Sequence, residues 1–326
     1  MLQRLFPSFF FELQKRYELQ KLQALVRRIV RKYQGGKSLR GFDEHVAYVL
    51  YRMPATYAAI SLVLRRLQES MPTFQPKRLL DLGSGPGTAI VASLKRFSLD
   101  TVVAVDRSRE FQQLFEMMNP SILAPAVHIS WKLWDLASRK RYRDRYDLMT
   151  IAYSAGEWTE AMREYWLEWS SSHVKVLVIV EPGTPAGFQT ILECRQRLID
   201  LGAQLLAPCP HTLPCPMEQM DAWCHVSVRV PRSTIHRRIK EGELGYEDEK
   251  LCYLIALFSH SEKAIVAPSR VVQTPSHRSG HSYLSLCTDQ GNYQEIIVSK
   301  KEKETYQRAK RCQWGDPFVS VEERSR

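Results

Sequence analysis

Leu79-Leu80-Asp81-Leu82-Gly83-Ser84-Gly85-Pro86-Gly87-Thr88 is the stretch on which the fold turns. Arg78 to Leu82 is an apolar run of strand length and Gly87 to Arg96 opens a helix, so the glycines make a tight turn between the two. Glycine lets the backbone turn sharply and lets a ligand approach without meeting a Cβ. A dinucleotide or S-adenosylmethionine loop requires this context. Outward from it, strands are predicted at Val102–Val105, Tyr146–Ala152 and Val174–Val180, and a helix at Phe188–Leu201. Strand and helix alternating at these separations predict a parallel sheet in an α/β fold. Asp106 closes the second strand, where an acid accepts hydrogen bonds from ribose hydroxyls, and Asp135 after the third strand is placed to meet an adenine edge.

The flanking regions have a different texture. Residues 1 to about 70 read as helical, with Leu19, Leu22, Leu25, Val26 and Ile29 at three- and four-residue spacing, a break at Gly35-Gly36 and an interruption at Pro54. After the Phe188–Leu201 helix come a proline-rich loop, the alternating stretch His225–Val230, the charged run Tyr246-Glu247-Asp248-Glu249-Lys250 and a further strand, Leu251–Phe258. Beyond Ser259 the pattern is all-β, with a hairpin of Tyr283–Cys287 and Tyr293–Val298, followed by a basic segment from Lys300 to Arg311. Three parts are therefore expected: a basic helical region at 1–72, a Rossmann-like domain at 73–260 carrying a loop at 207–225, and a C-terminal β extension at 261–326.

The chain has 326 residues, 44% hydrophobic content and a formal charge of +11. It can bury a large core, and its charge suits a polyanion. Cations concentrate in two places, one including Arg27, Arg28, Arg31 and Lys32, the other Arg232, Arg237, Arg238 and Lys240. These eight are the candidate RNA contacts. No apolar run approaches about 18 residues, and the start lacks a secretory cleavage pattern. A soluble monomer without a membrane partner is expected, in the cytoplasm or, alternatively, the mitochondrial matrix.

Seven cysteines without a secretory signal argue against a disulfide framework. Cys209, Cys215 and Cys224 fall in one loop stiffened by Pro208, Pro210, Pro214 and Pro216, a density that points to a metal. Their spacing is neither that of a zinc ribbon nor that of a ferredoxin. An iron–sulfur cluster takes four thiolates, and Cys287, beside a turn, is better placed as the fourth than Cys194 or Cys252, with Cys312 the rival. His211 and His225 flank the thiols and keep zinc as an alternative; otherwise they bond the loop backbone. No catalytic residue is identified: neither Asn/Asp-Pro-Pro-aromatic nor Pro-Cys follows the fourth or fifth strand, and Glu181 reads as a base or as a cap for the next helix.

The segment Asp81 to Gly87 resembles the first motif of class I methyltransferases, which lies at the end of a strand in a Rossmann-like sheet. The resemblance implies S-adenosylmethionine against Gly83, Gly85 and Gly87, with Asp81 near its methionine end and Asp106 on its ribose. Over a longer span, Tyr51-Arg52-Met53-Pro54, the glycine loop, Glu181-Pro182-Gly183, Pro208-Cys209-Pro210-His211, Cys215-Pro216, Trp223-Cys224-His225, Tyr246 to Lys250 and Trp314-Gly315-Asp316 stand in a fixed order. In that order they resemble the methyltransferase-like small-ribosomal-subunit assembly proteins of mitochondria and their bacterial relatives. This resemblance implies a four-iron four-sulfur cluster on Cys209, Cys215, Cys224 and Cys287, association with small-subunit ribosomal RNA, and weak or absent methyl transfer. The alternatives are an active ribosomal RNA methyltransferase and a zinc-bearing RNA-binding module.

Overall fold

The computed structural model of the chain describes residues 2–34, 38–138, 144–220, 222–259 and 263–319. The expected break at Gly35-Gly36 and the neighbouring Lys37 lie outside them. Five helices come first: α1 (Leu2–Leu5), α2 (Pro7–Lys15), α3 (Leu19–Gln34), α4 (Gly41–Tyr51) and α5 (Met53–Ser70). The α4–α5 pair bends by 52° at Arg52, where Pro54 sits in the first turn of α5 and lacks the amide a continuous helix would need. Among the described residues no single helix is long and apolar enough to cross a membrane.

Strand and helix then alternate through β1 (Arg78–Leu82), α6 (Thr88–Arg96), β2 (Thr101–Asp106), α7 (Arg109–Met118), β3 (His128–Leu133), β4 (Tyr146–Ala152), α8 (Glu160–His173), β5 (Val174–Pro182) and α9 (Pro185–Asp200). Short polar residues start three of the helices. The side chains of Ser108, Thr159 and Thr184 accept the amides of Phe111, Met162 and Gly187, satisfying donors that the helix leaves free. The sheet continues with β6 (Gln204–Ala207), β7 (Val226–Pro231), the short helix α10 (Thr234–Ile239) and β8 (Tyr246–Leu257). Its order is β3-β2-β1-β4-β5-β8-β6, with β7 also paired to β8. Strands β1 to β5 are parallel, and β8 runs antiparallel between β5 and β6. This is a Rossmann-like arrangement. Strand order reverses between β1 and β4, so the ligand crevice falls at their carboxyl ends.

Alternation along the strands builds two apolar layers. On β5, Val176, Val178 and Val180 face the side covered by α3 to α7, and Leu177 and Ile179 face the side covered by α8 and α9. Each such buried side chain contributes about 1.5–3 kcal/mol. The N-terminal helices share the first layer: Leu22, Ile29, Leu50, Ile60 and Leu64 are fully buried in the same apolar mass as Val176 and Val178.

Strand β8 starts five residues before the expected Leu251. Its charged half is a true strand because its acids find partners: Glu247 meets Arg232 and Lys240, Asp248 meets Arg229, and Glu249 meets Arg52. A second sheet follows, made of β9 (Ser269–Val271), β10 (Ser276–Arg278), β11 (His281–Thr288), β12 (Tyr293–Ser299) and β13 (Pro317–Phe318). The hairpin falls where expected, but the basic segment is a helix, α11 (Lys303–Arg311). Thr305, Tyr306 and Ala309, at helical spacing, cover the second sheet, an apolar stripe too short to stand out among the lysines.

Gly87 sits at φ +76°, and an added Cβ there would lie 2.2 Å from the Phe115 ring; Gly202, at φ +79°, has open space around it. Gly87→Ala is expected to lower unfolding stability by about 2–4 kcal/mol, from left-handed strain plus overpacking. Gly202→Ala carries the strain alone, about 1–2 kcal/mol. Equal losses for the two in urea titrations would contradict this packing.

Candidate functional site

The crevice at the β1–β4 reversal is a cleft of about 690 Å³, within the roughly 300–1,000 Å³ usual for small-molecule sites. Asp81, Gly83, Gly85, Asp106 and Asp135 all line it. Gly87 lies behind the loop against Phe115. The loop is fastened from beneath, because the Gly83 and Ser84 amides donate to Val105 O and the Ser84 hydroxyl accepts from Val105 N. Asp106 orders it further: one carboxylate oxygen accepts from Gly85 N and the other from Ser108 N, both at 2.8 Å. Asp135, exposed, accepts from Ala137 N at 2.9 Å.

Asp81 is the most informative member. It is 1% exposed; its Oδ1 accepts from the Thr150 hydroxyl at 2.5 Å, while Oδ2 is buried with no hydrogen-bond partner among the described residues. Burial pushes its carboxyl up to about 7, against the hydrogen bond from Thr150. An unpartnered buried acceptor facing a cleft fits a cationic or N–H-bearing ligand group.

Residues that sequence reasoning missed also line the cleft: His45, Tyr48, Tyr153, Glu157 and Trp158. Tyr153 follows β4 directly in a left-handed conformation, φ +57°. Its hydroxyl donates to Glu249 at 3.3 Å and its ring lies 5.2 Å from the Arg52 guanidinium. Arg52 and Glu249 form a bidentate pair at 2.6 and 2.7 Å. Burial raises the Tyr153 phenol well above its usual value, and the Glu249 charge raises it further. A phenol so held cannot serve as a base near neutrality. Two segments noted in the sequence, at Arg52 and at Glu249, thus meet beside the cleft. Glu181 does not cap α9, a role taken by Thr184. Instead it accepts from Ala155 N at 2.9 Å and braces the loop after β4, with its carboxyl pushed up to about 7 by burial.

Cys209, Cys215, Cys224 and Cys287 line a second cavity, of about 40 Å³, together with Cys252, His211 and His225. Cys312 instead packs against the core of the second sheet, and Cys194 lies buried within α9. Cys252, expected to be only a small buried hydrophobe, also reaches this wall and donates its thiol to Cys224 O at 3.2 Å. Among the described residues no group of three or more His, Cys, Asp or Glu side chains is spaced to hold a single metal ion. Burial raises three of these thiols: Cys215 is pushed up to about 11, Cys287 to about 12 and Cys224 well above its usual value, with the neighbouring cysteines raising each further. Such a set ionises only beside a cation, the chemistry of a buried metal site.

Two buried arginines clamp the loop. Arg195 of α9 donates to His211 O and Leu213 O at 2.9 and 2.7 Å, and Arg270 of β9 donates to Pro208 O and Gly315 O at 3.0 and 3.2 Å. Their charges would offset those of thiolates formed nearby. His211 and His225 each present Nδ1 to a loop carbonyl, Leu213 O and Trp223 O, so each must donate there. That leaves His211 Nε2 facing the Cys287 thiol at 3.3 Å, and His225 Nε2 buried without a partner among the described residues.

The two groups of candidate RNA contacts lie on or beside adjoining helices. Helix α10 packs on α3, with Gln23 donating to Arg238 O and Arg27 paired to Glu241. Much of the charge is internally used. Arg28 and Lys32 both bind Glu44, which is 2% exposed, and Arg232 and Lys240 bind Glu247. Arg31, Arg237 and Arg238 are exposed and have no acidic partner among the described residues.

The sequence profile of a family described as "Mitochondrial small ribosomal subunit Rsm22" matches residues 43–319. The human mitochondrial ribosome assembly protein METTL17 is 26% identical over 292 residues, 83% of this chain and 61% of that protein. The mitochondrial Rsm22-cox11 tandem protein 2 of Schizosaccharomyces pombe is 25% identical over 334 residues, 84% of this chain and 43% of that protein. The chain therefore spans about half the length of these relatives. Among solved structures, the Synechocystis magnesium protoporphyrin IX methyltransferase gives a TM-score of 0.41 at 12% identity, covering 68% of this chain and 86% of that one. The Bradyrhizobium japonicum N-methyltransferase NodS gives 0.36 at 11%, covering 59% and 84%. With its profile matched from the α4 helix to the end of the second sheet, the chain belongs to the mitochondrial small ribosomal subunit Rsm22 family.

Proposed function

We propose that this protein assists assembly of the small ribosomal subunit by binding its ribosomal RNA, and that its methyltransferase-like cleft holds S-adenosylmethionine without carrying out methyl transfer. The observation that carries this reading is the Arg52–Glu249–Tyr153 lock. The position after β4, where amino methyltransferases carry their reactive motif, is held by a buried phenol bound to an ion pair. The cleft also keeps what a cofactor needs: Gly85, which has room where a Cβ would stand, and the unpartnered Asp81 Oδ2. Asp81 would take the methionine ammonium, Asp106 the ribose through its remaining lone pairs, and Asp135 the adenine edge. When bound, the cofactor supplies an electrophilic methyl group. Both relatives' names are mitochondrial, which favours the matrix over the cytoplasm expected from the N-terminal sequence.

The cysteine cavity fits a four-iron four-sulfur cluster on Cys209, Cys215, Cys224 and Cys287. These four thiols line the cavity together with Cys252, and two buried guanidiniums stand ready to offset thiolate charge. Cys209→Ser, Cys215→Ser, Cys224→Ser and Cys287→Ser are each expected to lower the iron content of anaerobically purified protein, and Cys194→Ser and Cys312→Ser to leave it unchanged. Stoichiometric zinc without iron would remove the cluster from this reading.

Because the Asp81 carboxyl is pushed up to about 7, it must lose a proton before it can pair with an ammonium group. Affinity for S-adenosylmethionine is expected to rise with pH to about 7 and level off above, and Asp81→Asn to remove that dependence in calorimetry. Stability of the ligand-free protein runs the other way. The folded state keeps a proton that the unfolded chain sheds, so stability falls as pH rises from about 4 to about 7, with Glu181 acting in the same sense.

The assembly role is tested by co-sedimentation of the protein from cells at rising ionic strength. It should travel with small subunits and leave them steeply with salt, and a triple variant of Arg31→Glu, Arg237→Glu and Arg238→Glu should leave at lower salt. Arg28 and Lys32 are unsuitable for this test, because reversing them would strand the buried Glu44. Equal recovery on both ribosomal subunits, or recovery only in free fractions at low salt, would overturn the role.

A further inference from the structure

We propose that the edge of the second sheet and helix α11 form a further RNA-contact surface, made by Arg278, Lys300, Lys301, Lys303, Lys310 and Arg311 and directed at backbone phosphates. Pairing brings these residues together from distant parts of the segment. Arg278 on β10 is opposite His281 on β11, which is opposite Ser299 on β12, and Lys300 N donates to Gly280 O. Lys300 and Lys301 thus extend the sheet edge next to Arg278, and α11 starts two residues later. All six are exposed.

Availability of charge separates this surface from the face at α3 and α10. There, Arg27, Arg28, Lys32, Arg232 and Lys240 are committed to acids within the fold. Here, among the described residues, Lys300, Lys301, Lys303, Lys310 and Arg311 have no acidic partner; the ion pair on α11 is Arg308 with Glu304, at 3.9 Å. Glu302 is occupied in accepting Ser299 N at 2.8 Å. Uncompensated charge of this density is attracted to polyphosphate by counterion release.

The chemistry also selects among polyanions. The apolar stripe of α11, Thr305, Tyr306 and Ala309, is buried against the second sheet, so the helix has no apolar face to insert into a bilayer. Lysine, which supplies four of the six cations, is depleted at protein–protein interfaces. An RNA backbone is the partner that remains.

This inference rests on the reading of the chain as an RNA-binding protein, and the test separates the two. Equilibrium binding of the full chain to a transcribed, structured fragment of small-subunit ribosomal RNA is measured against salt, for the native protein and for K300Q/K301Q/K303Q/K310Q/R311Q. The variant should bind at least about tenfold more weakly near 0.1 M salt, with the logarithmic salt slope shallower by about 3–5; Lys300→Gln and Lys310→Gln alone should each flatten it by about one. Native binding with unchanged affinity and slope in the variant would overturn this surface and leave the RNA reading standing. Absence of RNA binding by the native protein at low salt would overturn both, and tighter binding to phosphatidylserine vesicles than to RNA would overturn the choice of partner. Lysine acetylation of the native complex gives an answer independent of variant folding: Lys300, Lys301, Lys303 and Lys310 should be protected by RNA, and equal labelling with and without RNA would refute the contact.

Discussion

The twelve-residue strand β8 constrains the rest of this molecule. Running antiparallel, it pairs with β5 along one side; on the other side its first half pairs with β7 and its second half with β6. The chain leaves β6 at Ala207, opposite Ile255, and returns into β7 at Val226, opposite Leu251. Cys252 to Leu254 therefore face a gap in the sheet, and the cysteine loop crosses that gap. A cavity lined by Leu251, Cys252 and Tyr253 together with the loop thiols is the direct consequence. The strand's other end is held by charge, with Glu247 and Glu249 buried against Arg232, Lys240 and Arg52. Removing either acid would leave half-buried cations uncompensated.

The segments that stand far apart in the sequence are joined through this strand and its neighbours. Gly183 after β5 donates its amide to Lys250 O and offers its own carbonyl to the Trp223 indole. A Cβ at Gly183 would lie 2.5 Å from Lys250, so only glycine admits this approach. His225 stacks between Trp223 and Trp314, and Asp316 is paired with Arg66 of α5. The cysteine loop is thus held by α9, by the second sheet and by the tryptophans at once, as suits a loop whose thiols must keep fixed directions. Glu181 joins the two candidate sites: it braces Ala155 beside the cleft, and its strand register places it opposite Cys252 on the cysteine cavity.

A net charge of +11 gives the sign of a partner but not the place where it binds. Buried Glu44 and Glu247 absorb cations that look free in the sequence, and so turn part of the N-terminal basic region into internal structure. The charge left over lies at the exposed tips of α3 and α10 and on the second sheet with α11. Beside the glycine loop and Asp81, the cleft carries Tyr153 held by Glu249 and Arg52, and the proposed binding role rests on that geometry.

What the sequence determined by itself rests on local rules. The glycine loop, the parallel strands and the hairpin follow from periodicity, conformational freedom at glycine and hydrogen bonding within a few residues. The thiols were visible as a group because prolines and cysteines crowd one loop. Tertiary structure decided the rest, because it depended on partners distant in the chain. Tyr246 to Lys250 is strand only because Arg52, Arg229, Arg232 and Lys240 neutralise it, and the Lys303–Arg311 helix forms on a three-residue stripe that needs the second sheet to cover. Tyr153 gains its meaning from Glu249 and Arg52, residues 96 and about 100 positions away. Charge pairing and burial across such distances leave no local periodicity to read, so only the folded chain shows which cations are free and which groups face the cleft.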